Sequence, residues 1–193
     1  MARKPQNQPE EKLPSGETLK VNLFFWLQAA VAALVCILLL FTFVARGVGV
    51  VGHSMVPTLQ WGDMMLVRSI GYEPQNGDVV VLTKQSFMEE PIVKRVIATG
   101  GETVRIDYQT STVYVDGVPL SEPYINEPML QPFSSLMTIE EVTVPEGYLF
   151  VMGDNRNAST DSRDTRLGLV DERYVLGKAE LVLFPFSDFG TIN

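Results

Sequence analysis

The sequence predicts a mainly β fold, an antiparallel sheet or barrel-like domain behind one N-terminal transmembrane helix. Three observations carry that expectation. Positions 21–44 form an uncharged run in which only Asn22, Gln28 and Thr42 are not apolar. Beyond it, short β-rich runs alternate with turn residues, a pattern of strands rather than helices. The single cysteine, Cys36, lies inside the apolar run, so the following domain has no disulfide or thiol nucleophile and must be held by its own core.

Residues 1–17 contain three prolines, one glycine and many polar or charged groups, so the tail up to position 20 is expected to be disordered and cytoplasmic. At ~1.5 Å per residue the run 21–44 spans about 36 Å, enough to cross a hydrocarbon layer of ~30 Å with some tilt. A cleaved secretory signal has an apolar region of only ~7–15 residues and a small-x-small exit, neither of which fits. Arg3, Lys4, Lys12 and Lys20 precede the run, whereas Arg46 alone follows closely. That bias keeps the N-terminus in the cytoplasm and makes 45–193 extracytoplasmic.

In the outer domain the predicted strands are 64–67, 78–82, 92–98, 103–106, 112–115, 141–144, 148–152 and 178–186. Asp116-Gly117, between Tyr114-Val115 and Val118, reads as a tight hairpin turn. Segment 121–137 holds Pro123, Pro128 and Pro132 with Met129, Leu130, Phe133, Leu136 and Met137 in no clear period. It reads as an irregular packed connection or as an apolar rim on lipid, and Trp61 invites the same two readings. Residues 47–193 carry 10 Lys+Arg against 20 Asp+Glu, a net charge that argues against a nucleic-acid partner.

Ser54 stands in Gly52-His53-Ser54-Met55-Val56-Pro57-Thr58-Leu59, ten residues past Val44. Ten extended residues reach roughly 33–36 Å at most, so Ser54 works close to the headgroups. A serine hydroxyl needs a neighbouring base. His53 is the only histidine, and in an extended chain its side chain points away from that of Ser54. Lysine can substitute where burial lowers its pKa. In Ile92-Val93-Lys94-Arg95-Val96-Ile97, alternation sets Lys94 and Arg95 on opposite faces with apolar neighbours, so one of the two cations must be buried or partnered. The residues alone leave Lys94 open between a base and a solvated edge lysine.

Four segments decide between them: Gly52-x-Ser54-Met55-x-Pro57-Thr58-Leu59, Gly77-Asp78-Val79-Val80, Lys94-Arg95-Val96-Ile97 and Gly153-Asp154-Asn155-Arg156-x-x-Ser159-x-Asp161-Ser162-Arg163. In order and spacing they resemble the successive boxes of bacterial type I signal peptidases, over most of residues 45–186. The resemblance implies coiled, partly barrel-like antiparallel sheets and a Ser–Lys dyad without metal or cofactor. Ser54 would be the nucleophile and Lys94 the general base, removing signal peptides from exported preproteins after a small-x-small motif through an acyl-enzyme. The partners implied are the lipid bilayer and a nearby secretion translocon.

By position, Ser159 matches the hydroxyl that orients the lysine, Asp161 and Arg163 match a structural ion pair, and Asp154 and Arg156 are expected to scaffold the loop. The Ser54 backbone N–H would meet the oxyanion; some members add a hydroxyl two residues earlier, where this chain has Gly52. Val50, Val51, Met55, Leu59 and Val93 sit where substrate pockets would be lined, with ordinary core as the other reading. Gly100-Gly101-Glu102 replaces a frequent Pro-Gly-Asp, and the single span without a long insertion resembles the short Gram-positive forms. A peptidase dedicated to one pilin-like or self-cleaved substrate, and a non-catalytic membrane-anchored β binding domain, are the competing functions.

Overall fold

In the computed structural model the described residues are 16–39, 45–84, 86–130, 136–137 and 139–192. The chain divides into two compact units, Met1–Phe41 and Thr42–Asn193.

The first unit holds α1 (Gly16–Leu39). No proline interrupts it, and leucine and alanine, both good helix formers, dominate its length. Beyond Lys20 it carries no charge and its apolar residues fall on every side, the composition of a candidate membrane span: Leu19–Leu39 has a mean hydropathy of 2.2 and none of it is buried. Among the described residues it is the one helix long and apolar enough to cross a membrane. The helix starts before the apolar run, so positions 16–20 of the expected tail are helical. The rest of that tail, and positions 40–44 of the expected span, lie outside the described residues.

Among the described residues the second unit holds twelve strands. They are β1 (Ala45–Gly49), β2 (Met64–Arg68), β3 (Val79–Lys84), β4 (Met88–Ala98), β5 (Thr103–Asp107), β6 (Thr112–Val115), β7 (Val118–Pro119), β8 (Glu141–Thr143), β9 (Tyr148–Met152), β10 (Val170–Asp171), β11 (Val175–Phe184) and β12 (Gly190–Thr191). The larger sheet has the order β1-β2-β11-β3-β4-β9-β10, with β12 added to β11, and the smaller one β7-β6-β5-β8. Every pairing is antiparallel, as the alternating runs predict.

Each predicted strand has its counterpart, whereas β1, β7, β10 and β12 are additional. Three of those four have only two residues, and β1 carries two glycines, so none offers a periodic signal. Asp116 and Gly117 have φ values of 50° and 78°, the paired positive φ of a type I′ turn between β6 and β7. Gly101 sits at φ 90°, and Glu102 accepts from the Thr99 N–H at 2.7 Å. The turn expected from Gly100-Gly101-Glu102 therefore forms without proline.

Strand β3 shows how the larger sheet is buried. Val79 and Val81 join a cluster with Met55, Leu59, Met65 and Val67, while Val80 and Leu82 join another with Val96, Leu149 and Val151. Both faces are dry, which is why its sequence is a continuous apolar run instead of an alternation. A third cluster unites Ile97, Phe150 and Met152 with Val104, Ile106 and Val113 of the smaller sheet. Met129 packs into this cluster, so that point of the irregular 121–137 segment is a packed connection. Leu130 is exposed, and Pro132 and Phe133 lie outside the described residues.

β4 is the strand that matters for chemistry. Lys94 lies opposite Val80, and Arg95 opposite Val79. The pleat therefore sends two adjacent cations into two different interiors.

Candidate active site

The chain from β1 to β2 folds back as a closed loop. Its base is tied by the Val50 N–H to Asp63 O at 2.8 Å and the Gly62 N–H to Val50 O at 3.0 Å. Gly52 takes φ 93° there, a left-handed turn that glycine adopts without strain, and two residues later comes Ser54. A second loop grips it, since the Asn155 N–H donates to Ser54 O at 3.0 Å and Asn155 Nδ2 to His53 O at 3.1 Å. The His53 ring packs edge-on against Trp61, centroids 5.5 Å apart.

Lys94 Nζ lies 2.7 Å from Ser54 Oγ and donates to Val93 O at 2.9 Å. The side chain is buried, the residue being 3% exposed. Burial disfavours the ammonium and lowers its pKa from 10.5 to about 8, although the Asp161 and Asp154 carboxylates pull the other way. A primary amine thus reaches the range in which it can accept a proton near neutrality.

Sequence reasoning required one of the two cations on β4 to be buried or partnered, and both are. Arg95 is 1% exposed. Its Nε and Nη2 donate to the two oxygens of Asp154 at 2.8 and 2.7 Å, and Nη1 donates to Gly77 O at 2.7 Å. Thr58, four residues past Ser54, donates its hydroxyl to Asp154 Oδ2. Asp154 therefore couples the lysine-bearing strand to the nucleophile loop, and the Gly77-Asp78 segment is drawn into the same network.

The other residues of the fourth box close the back of the site. Asp161 is fully buried and accepts from the Gly153 N–H at 3.0 Å and from Arg163 Nε and Nη2, both at 2.8 Å. Burial pushes the Asp161 carboxyl up, but the Arg163 charge and hydrogen bonds and the Gly153 N–H outweigh it and hold the group below its ordinary value. Arg163 Nη2 also donates to Arg156 O at 2.8 Å, and Arg156 Nε to Gly153 O at 3.2 Å. Ser159 Oγ is buried near Asp161, yet no bond of ordinary geometry reaches it, and the two partners of Lys94 are Ser54 and Val93.

Gly153 is required here for space. Its φ is outside the left-handed region, but an added Cβ would come within 2.5 Å of Ser54 O and of Ser159 Cβ. Gly153→Ala is expected to lower kcat/KM ~10- to 100-fold and to cost roughly 1–3 kcal/mol by overpacking. Cleavage kinetics and thermal unfolding check both; wild-type activity in this variant would mean that the loops tolerate separation.

Ser54 and Lys94 open onto a cleft of about 640 Å³. Val50, Val51, Met55 and Val93 line it, four of the five side chains expected around a substrate. Leu59 is instead wholly buried in the core beside Met55. Phe87, Met88, Glu90 and Thr160 also line the cleft. Phe87 immediately precedes β4 and Met88 and Glu90 lie in its first residues, where no motif marks them in the sequence. Thr160 lies between buried Ser159 and Asp161 in a segment outside any strand, so no period in the sequence announced it.

The family described as signal peptidase, peptidase S26, matches residues 23–184. The chain belongs to that family. The resemblance carried by the four boxes thus points to the family that residues 23–184 match, and the protein is an S26 peptidase, a hydrolase. Among relatives of this peptidase, signal peptidase I of Bacillus licheniformis is 37% identical over 176 residues, covering 88% of this chain and 92% of its own. A probable signal peptidase I-1 of Synechocystis is 37% identical over 171 residues, with 83% and 82% covered. A crystal structure of a signal peptidase I from Enterococcus faecalis, 36% identical, aligns with a TM-score of 0.46 over 55% of this chain and 97% of that one.

Proposed function

We propose that this S26 peptidase cleaves N-terminal signal peptides from exported preproteins at a membrane surface, with Ser54 as nucleophile and Lys94 as general base. The observation that carries the reading is the buried Lys94 amine 2.7 Å from Ser54 Oγ, at one wall of a mostly apolar cleft. The neutral amine takes the hydroxyl proton as Oγ attacks the scissile carbonyl, and the Ser54 N–H meets the developing oxyanion. Collapse breaks the C–N bond, and Lys94 returns its proton to the leaving amine. Water deprotonated by Lys94 then attacks the acyl-ester; collapse breaks the ester C–O bond, Lys94 passes its proton to Ser54 Oγ, and the product leaves as its carboxylate.

Val50, Val51, Met55 and Val93 would select small residues at the first and third positions before the cut by excluding bulk. Residues 21–44 would anchor the enzyme with residues 1–20 in the cytoplasm, leaving 45–193 outside, near the translocon and the headgroups. Exposed Trp61, Phe184, Phe186 and Phe189 support work beside lipid.

The test uses the full chain in detergent or lipid vesicles with a precursor carrying an Ala-x-Ala site. Because only neutral Lys94 is competent, kcat/KM is expected to rise ~10-fold per pH unit below about 8 and to level above it. A serine-reactive acylating probe should label Ser54. A flat profile from pH 5 to 9, or labelling elsewhere, would sink the reading.

A further inference from the structure

We propose that the irregular strap formed by residues 122–130 is a positioning device for the Ser54–Lys94 pair, acting through Glu122 and Tyr124 on the two arginines that fix the 153–156 turn. The proposal rests on the Ser–Lys reading above. The strap lies outside the four sequence boxes, yet it closes over the buried arginines Arg95 and Arg156.

Glu122 accepts from Arg156 Nη1 at 3.0 Å and from Nη2, with the two side chains only 7% and 1% exposed. The Tyr124 ring lies 4.0 Å from the Arg95 guanidinium and 6.0 Å from that of Arg156, and its hydroxyl donates to Glu122 Oε1 at 3.3 Å. Asn157 fastens the far end: its Oδ1 accepts from the Leu130 N–H at 2.8 Å, and its Nδ2 donates to Glu127 Oε1 at 2.9 Å and Pro128 O at 3.1 Å.

From the strap to the reacting atoms there are two short routes. Arg156 Nε holds Gly153 O, and Gly153 abuts Ser54 O and Ser159. Arg95 holds Asp154 and adjoins Lys94 in β4. Without Glu122, the buried Arg156 guanidinium loses its carboxylate partner, and such a cation drags its surroundings toward water. Displacement by ~1 Å at a reacting pair can cost ~100-fold. A strap that merely covered the core would not do this.

The experiment compares Glu122→Gln, Glu122→Asp, Tyr124→Leu and Tyr124→Phe in the full chain, measuring kcat, KM and the rate of Ser54 acylation well below each variant's Tm. Glu122→Gln and Tyr124→Leu are expected to lose at least tenfold in kcat and acylation rate with KM within twofold of wild type. Tyr124→Phe, which keeps the ring, should stay within threefold, and Glu122→Asp should recover at least part of the loss. A lowered Tm with unchanged kcat in both Glu122→Gln and Tyr124→Leu would overturn the proposal by assigning the strap to stability alone. Should Glu122→Gln fail to fold, Tyr124→Leu decides by the same criteria. Ser54→Ala serves as the separate control: cleavage that survives it defeats the dyad itself, whereas loss there with wild-type kcat in the strap variants defeats only the strap.

Discussion

Replacing Lys94 with alanine or methionine is expected to lower kcat/KM for precursor cleavage on the order of 10³-fold or more, and Ser54→Ala should do the same. Methionine is the sharper probe, because it fills much of the lysine volume and removes only the amine that faces Ser54 Oγ at 2.7 Å. The same variant should be more stable than the wild type at neutral pH. The folded-state pKa of Lys94 is depressed from 10.5 to about 8, so between those values the unfolded chain binds more protons than the native one. Wild-type stability therefore rises with pH across the window from about 8 to 10.5, and below it the burial of this amine costs about 3 kcal/mol. Lys94→Met escapes that cost, and its advantage should fade as the pH approaches 10.5. Urea unfolding of both forms at pH 7 and pH 10, beside the cleavage assay, checks the pair of outcomes. Cleavage within tenfold of wild type would remove Lys94 from the mechanism, and a stability difference independent of pH would remove the depressed pKa.

What was legible in the sequence was local. Period-2 alternation marked β4 and put Lys94 and Arg95 on opposite faces, because strand geometry is local. The hairpin at Asp116-Gly117 was readable for the same reason, its positive φ values being demanded by two adjacent residues. Contacts between distant segments were not readable. Arg95 meets Asp154 across 59 positions and Thr58 meets it across 96, and neither separation has a period. The resemblance supplied Asp154 as scaffold but named no partner for it. Leu59 shows the converse limit: a leucine near Ser54 suits a pocket or a core equally well, and only the packing around Met55 and Val67 assigns it to the core. Glu122 and Tyr124 sit among prolines in a segment without period, so nothing in their neighbourhood announced a buried ion pair.

The hub of those distant contacts is Asp154, and Asp154→Ala is expected to cost roughly 3–5 kcal/mol in stability and most of the activity. Its carboxylate and Arg95 bury their side chains to 1% and 2% exposure. A charged pair taken that far out of water does little for net stability while intact, but removing one member leaves the other's desolvation uncompensated. Gly77 O and the Tyr124 ring would remain against the guanidinium, which keeps the loss toward the lower end. Thr58 would also lose its acceptor, freeing the nucleophile loop from the 153–156 turn, so activity should fall even at temperatures where the variant stays folded. The electrostatic consequence has a definite sign. Asp154 is one of the two carboxylates that raise the Lys94 pKa, and without it the midpoint of the pH–rate profile should move below about 8. Combining Asp154→Leu with Arg95→Met removes both charges and fills the space with apolar atoms; this double variant should recover most of the lost stability while activity stays low, because the tie to Thr58 is still missing. Thermal unfolding of the two single variants and the double, with cleavage measured on each, gives the coupling directly. Additive losses would show that Arg95 and Asp154 do not act as one unit, and full activity in the double variant would show that the tie to the nucleophile loop is dispensable.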